Sequence, residues 1–266
     1  MMDIAKMVQA EIALGYSDLN ARAKVCQDIV LKAIASGPLS RNVTIKGGVV
    51  MRSKTKNVRR ATQDLDIDFL RYPLTDSAID TFIASMGRLE GITIKRFDSI
   101  EELRPQEYKG KRVHIEIADS NGNKIQSKID LGVHSRLDID QEMFCFDIAL
   151  DSEGASLLIN SSEQMFAEKL RSLLKFGSFS TRFKDVFDLY YLSGVANKTN
   201  LLKCLDAYIF SDNQMRENSI ADVVKRLEQV FSDKAYLKRL STSDKNWLGI
   251  DVEEVTKGIL FYIDCI

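Results

Sequence analysis

The chain has 266 residues with 37 basic and 38 acidic side chains, a net charge of −1, which excludes a histone-like or polyanionic protein but not local patches. Fourteen Gly and three Pro are too few for a turn-rich all-β or low-complexity chain. Two histidines, His114 and His134, rule out a three-His zinc site, an HExxH helix or a His-rich relay, leaving polar chemistry mainly to Asp, Glu, Lys and Arg.

The first predicted element is helical. From Asp3 to about Ala35, Ile4, Met7, Val8 and Ile12, then Val25, Ile29, Val30, Ala33 and Ile34, recur at spacings of three and four, and Gly37-Pro38 stops the run. The period then changes to two. Val43–Ile45, Asp64–Leu70, Ile92–Ile94, Val113–Ile117, Ile125–Val133 and Met143–Leu150 read as strands, with a hairpin turn at Ser120-Asn121-Gly122-Asn123. One helix, about Asp76 to Leu89, interrupts them. After about Asn160 the helical period returns. Ser161-Ser162-Glu163-Gln164 fits a capping box and Phe176-Gly177 a stop, and helices follow near 182–192, 201–209, 220–231 and 252–263. The fold class is therefore α+β: a helical segment over 1–40, a mixed β-sheet core over 41–160 and a helical domain over 161–266. Cys26, Cys145, Cys204 and Cys265 form no C-x-x-C pair and read as buried thiols. No signal-peptide pattern opens the chain and no window approaches the roughly eighteen apolar residues of a membrane span, so the expectation is a cytoplasmic protein without a membrane partner.

The most informative stretch runs from Arg59 to Phe69. On a strand, Leu65, Ile67 and Phe69 share one face and Asp64, Asp66 and Asp68 the other. Three carboxylates on one strand face repel unless water, bases or a cation intervene. Such a face is either a solvated, aggregation-resistant edge or a ligand set for a hard cation, Mg²⁺ or Mn²⁺. Upstream, Arg41 to Arg60 holds seven basic residues and no acid, and Lys46-Gly47-Gly48 directly follows a strand. Strand, glycines and helix let backbone amides approach phosphate oxygens, although a lone Gly-Gly is more often simply a turn. Asp130, alternating with Ile129 and Leu131, is a further candidate metal ligand or base, against a plain polar surface shared with Lys124, Gln126 and Lys128. Lys169 and Asp185 lie near the apolar faces of two successive helices; they are a structural salt bridge, or Lys169 meets a triphosphate while Asp185 orients it or the metal.

Lys46-Gly47-Gly48, Arg60-x-Thr62-x-Asp64-Leu65-Asp66, Glu168-Lys169-Leu170 and Lys184-Asp185-x-x-Asp188-Leu189-Tyr190, in this order from about Arg41 to Leu192, resemble the nucleotidyltransferase toxin family typified by the AbiEii abortive-infection toxin. The resemblance implies a nucleotidyltransferase-like sheet core whose active cleft the helical domain completes. It implies that Asp64 and Asp66 hold Mg²⁺. Lys46, Gly47, Gly48, Arg60, Thr62 and Lys169 would bind the nucleotide, and Asp185 would belong to a fourth motif. The implied activity moves a nucleotide from a nucleoside triphosphate to an acceptor, RNA such as a tRNA 3′ end, with an antitoxin as protein partner. The wider superfamily carries Gly-Ser where this chain has Gly47-Gly48, so the first motif lacks its hydroxyl.

Two rival readings remain. The acceptor is a small molecule or a protein; a groove lined by Arg41, Arg52, Lys54, Lys56 and Arg59 would favour RNA. Alternatively the chain is a non-catalytic nucleotide- or protein-binding module, with Asp64 and Asp66 in bulk water far from Lys169 and Asp185. His114 and His134 are expected in surface or strand packing, and Trp247 with Phe183, Phe187, Tyr190 and Tyr191 in the core.

Overall fold

The computed structural model describes residues 2–87, 89–103, 110–136 and 138–266. Two compact units divide the chain, Met1–Asn160 and Ser161–Ile266.

In the first unit the N-terminal helical run is two helices, α1 (Ile4–Ala13) and α2 (Asp18–Ala35), because the chain turns at Gly15 and restarts on Ser17, whose hydroxyl accepts from the Asn20 N–H. There follow β1 (Val43–Lys46), α3 (Gly47–Thr55), a 3₁₀ turn (Val58–Arg60), β2 (Leu65–Phe69) and α4 (Asp76–Ser85). Then come β3 (Ile92–Arg96), β4 (Glu101–Leu103), β5 (Gly110–Asp119), β6 (Lys124–Val133), β7 (Glu142–Phe146) and β8 (Ala155–Ile159). All eight strands form one mixed sheet in the order β3-β5-β6-β2-β1-β8-β7, with β4 also paired to β5. β2 and β6 run parallel, as do β1 and β8; the other pairs are antiparallel. The β5–β6 hairpin turns over Asp119, whose carboxylate accepts from the N–H groups of Asn121 and Asn123.

β4 and β8 carry no strand signal of their own. β8 is five residues long, and since it is the partner of β7, that pairing ends at Phe146 rather than Leu150. α4 stops at Ser85, ahead of Leu89, with its last hydroxyl bonded back to the Phe82 carbonyl. Arg88, inside the expected span of that helix, lies outside the described residues.

The second unit is helical: α5 (Ser162–Phe176), α6 (Phe183–Ser193), α7 (Lys198–Leu205) passing into a π turn (Asp206–Phe210), α8 (Ile220–Ser232), α9 (Lys234–Ser241) and α10 (Val252–Asp264). Ser161 caps α5 through the Gln164 N–H, and the Gln164 side chain donates to Glu168 and the Tyr208 hydroxyl. α9 is too short to announce itself by periodicity and starts because Asp233 accepts from the N–H groups of Ala235 and Tyr236.

The cysteine expectation needs correction. Cys26 and Cys204 are buried, but Cys145 and Cys265 are exposed. Cys145 sits on β7, an edge strand of the sheet, on the side away from the buried Phe146, and Cys265 lies past the last turn of α10. Trp247 and Phe187 are buried, and Phe183, Tyr190 and Tyr191 half-buried. Among the described residues, no helix is long and apolar enough to cross a membrane.

Candidate active site

In the first unit, polar side chains gather where β1 hands over to α3 beside β2. Val43, Thr44 and Ile45 are fully buried, which anchors β1 and leaves Lys46 at its end. Gly47 then turns with φ +67°, and a Cβ there would sit 2.3 Å from Asp66 Oδ2. Only glycine lets the backbone take that turn so close to the carboxylate. One residue on, a Cβ on Gly48 would stand 2.4 Å from Thr62 Oγ1 and 2.7 Å from Thr62 Cβ. The Thr62 side chain therefore fills the space in which a residue-48 side chain would lie. Gly48→Ala should lower the melting temperature, and Thr62→Gly added to it should restore most of the loss, because both contacts vanish. Thermal melts of the single and double variants check this; equal melting temperatures would contradict it.

β2 explains why the acids share a face. Leu65, Ile67 and Phe69 are at most 1% exposed and point into the core, which turns Asp66 and Asp68 to the opposite side. Asp66 lies opposite Lys46 on β1 and Asp130 on β6. Three neighbouring carboxylates each have a cation. Asp68 holds Lys46 Nζ at 2.7 and 2.8 Å from its two oxygens, Asp64 pairs with Lys128 at 3.0 Å, and Asp130 accepts two hydrogen bonds from Arg112 at 2.7 and 2.8 Å. Asp66 carries no hydrogen bond or ion pair among the described residues. Burial pushes its carboxyl up to about 6; Lys46 opposes this, while Asp130, Asp64 and Asp68 add to it.

This donor set suits a cation only in part. Among the described residues no group of three or more His, Cys, Asp or Glu side chains is placed to hold a metal ion. A hard cation such as Mg²⁺, however, characteristically takes one or two protein carboxylates and completes its shell with water and phosphate. The partnerless carboxylate of Asp66 amid three further acids is a place where positive charge is wanted.

Elsewhere in this unit Arg60 is buried in the 3₁₀ turn. Of the five basic residues whose groove would favour RNA, Arg52 is buried against Gln27 and Asp28, and Lys54 pairs with Glu142. Arg41 lies instead at the other end of β1, beside a cavity of about 320 Å³ that Arg71 and His134 also line. His134 is itself buried, with Nε2 2.9 Å from the Arg136 carbonyl oxygen, and His114 Nε2 meets Glu101 at 3.1 Å.

The second unit brings Lys169 and Asp185 together. From α5, Lys169 Nζ lies 2.6 Å from Asp185 Oδ1 and 2.8 Å from Asp188 Oδ2, both on α6. Asp188 has no exposed surface and also accepts from Trp247 Nε1 at 3.0 Å. Sequence reasoning placed Asp188 in a motif but gave it no role. Its signal was an acid on the apolar face of a helix, three residues after Asp185.

The family described as "Nucleotidyl transferase AbiEii toxin, Type IV TA system" matches residues 29–248 of the chain. Among solved structures, the crystal structure of an antigenic nucleotidyltransferase-like protein from Paracoccidioides brasiliensis is similar at 13% identity and a TM-score of 0.47, over 82% of this chain and 91% of that one. No curated protein matches the chain.

Proposed function

We propose, from the premise that this chain belongs to the AbiEii nucleotidyl transferase toxin family and is a nucleotidyltransferase, that it transfers a nucleotide from a nucleoside triphosphate to an RNA acceptor, a tRNA 3′ end, with a divalent metal. The observation that carries the metal and triphosphate is Asp66, a carboxylate without hydrogen bond or ion pair among the described residues, set among Asp64, Asp68 and Asp130 and against the glycine turn at Gly47.

Asp64 and Asp66 would hold Mg²⁺ or Mn²⁺, which when bound supplies charge neutralisation for the triphosphate and its leaving group. Lys46 stands opposite Asp66 at the end of a strand that turns directly into α3, and its ammonium group, held on Asp68, would be shared with phosphate oxygens. Among the described residues no side chain caps α3, whose first N–H groups would meet phosphate at this turn. Thr62 places a hydroxyl over Gly48, where the wider superfamily carries serine. Arg112 fixes the orientation of Asp130 through both oxygens. In the reaction an acceptor hydroxyl oxygen bonds to the α-phosphorus, the bond from that phosphorus to the bridging oxygen breaks, and pyrophosphate leaves. The hydroxyl proton passes to a carboxylate of the acid face. In the second unit, the family resemblance gives Lys169 a nucleotide contact and Asp185 a place in the fourth motif.

The RNA acceptor, a cognate antitoxin and a cytoplasmic location rest on the family resemblance. A small-molecule or protein acceptor stands as the second reading, favoured by one observation: Arg52 and Lys54 are occupied within the fold rather than offered to a phosphate backbone. Incubation with each α-labelled NTP, Mg²⁺ and total tRNA separates the readings. Label on RNA is the expected result; label on protein alone would move the acceptor to protein, and label on neither would exclude both RNA and protein as acceptors.

A further inference from the structure

In the first unit a buried polar brace lies behind the segment that carries Thr62 and Asp64. Gln27 of α2 is 1% exposed, amid the apolar run of that helix. Its Nε2 donates to the Thr62 carbonyl at 3.1 Å and, more weakly, to the Asp64 carbonyl at 3.4 Å. Its Oε1 accepts from Arg52 Nη1 of α3 at 2.7 Å. The amide can face only one way, since a guanidinium only donates and a carbonyl only accepts. Arg52 is 4% exposed and its other nitrogen reaches Asp28 Oδ1 at 3.4 Å. Asp28 in turn accepts from Lys24 at 2.6 Å and from the Ala149 N–H at 3.0 Å. The brace thus ties two backbone carbonyls of a loop outside β2 to the helix that begins at Gly47.

We infer that Gln27 is a positioning residue for the nucleotide site: it sets the Thr62–Asp64 backbone relative to α3, so that the Thr62 hydroxyl and the Asp64 carboxylate face the same triphosphate. The inference rests on the assignment of Thr62 and Asp64 to nucleotide and metal. Gln27 itself precedes the family match, which begins at residue 29. Its polar side chain is explained by no apolar packing requirement of α2, whose neighbouring Val25, Ile29 and Val30 are fully buried.

Two variants divide the brace. Gln27→Glu keeps an acceptor for Arg52 but replaces the donor with a second oxygen, which repels the carbonyls of Thr62 and Asp64. Gln27→Met removes both functions at similar volume. The probe is equilibrium binding of α,β-methylene NTP analogues with Mg²⁺, read well below each variant's melting temperature. Both variants should weaken binding about tenfold or more, as the loss of a buried hydrogen bond does. If both Gln27 variants unfold, Arg52→Lys, which gives up the fixed fork, reads the same constant. A brace with a purely structural role would lower the melting temperature and leave the dissociation constant of the folded molecules unchanged; that result overturns the inference. If the wild-type chain binds no analogue, the reading of the nucleotide site fails and this inference fails with it. Tight wild-type binding with undiminished variant binding defeats the inference alone.

Discussion

Asp66→Asn should make the protein both inactive and more stable. Its carboxyl titrates near 6 in the fold against an ordinary 3.8, chiefly because burial disfavours the charged form. The folded chain therefore takes up a proton between about pH 4 and 6 that the unfolded chain does not. Stability falls as pH rises through that window, and Asn, which cannot ionise, removes the fall. The variant should gain on the order of 2–3 kcal/mol at neutral pH, and the gain should vanish below about pH 4. Denaturant titrations at pH 4 and pH 7.5 without added metal check this. Nucleotide transfer should drop about a thousandfold, since a metal's charge supplies several kcal/mol to a phosphoryl transition state. Instability built into a site and removed by inactivating it is the expected pattern where function opposes folding. An Asn variant of unchanged stability and activity would mean that Asp66 is neither strained nor used.

The second large effect belongs to Lys169. Lys169→Met takes the lysine away from the fully buried Asp188, which also accepts from Trp247, and strips Asp185 of the same ammonium group. Breaking a buried pair on one side costs about 3–5 kcal/mol, so the unit should melt far earlier, and Trp247 fluorescence should follow the change. Adding Asp188→Asn removes the stranded charge, and the carboxamide oxygen still accepts from Trp247. The double variant should recover most of the stability. It also separates the two roles open to Lys169. A lysine that works on the nucleotide leaves the folded double variant inactive, whereas a lysine that only bridges α5 and α6 leaves it active.

Local patterns carried much of the architecture, and partners distant in sequence supplied what they missed. Period two in Leu65–Phe69 was enough to set Asp66 and Asp68 opposite the buried Leu65, Ile67 and Phe69, because one buried face fixes strand register. The α5 start was legible in Ser161, whose cap is a bond within three residues. β8 was not legible, since the apolar Leu158 breaks the alternation of Ala155, Leu157 and Ile159, and the segment becomes a strand through β1 and β7. α9 depends on one aspartate. The partners of the basic run from Arg41 to Arg60 stayed hidden for the same reason: nothing within it reveals that Arg52 faces Gln27 and Asp28 while Arg41 lies at the far end of β1. At the candidate site, the acids and the glycines stood out as residue types at a spacing. The cations assigned to Asp64, Asp68 and Asp130 did not, because Lys128, Lys46 and Arg112 meet them only across strands.

One measurement tests the central claim most directly: parallel reactions of wild-type and Asp66→Asn protein with α-labelled and γ-labelled NTP, Mg²⁺ and total tRNA. Transfer of a nucleotide with loss of pyrophosphate predicts α-label on RNA, γ-label released as pyrophosphate, and neither product with the folded Asn variant. Label reaching RNA from the γ position, or α-label transferred equally by both proteins, would contradict the account.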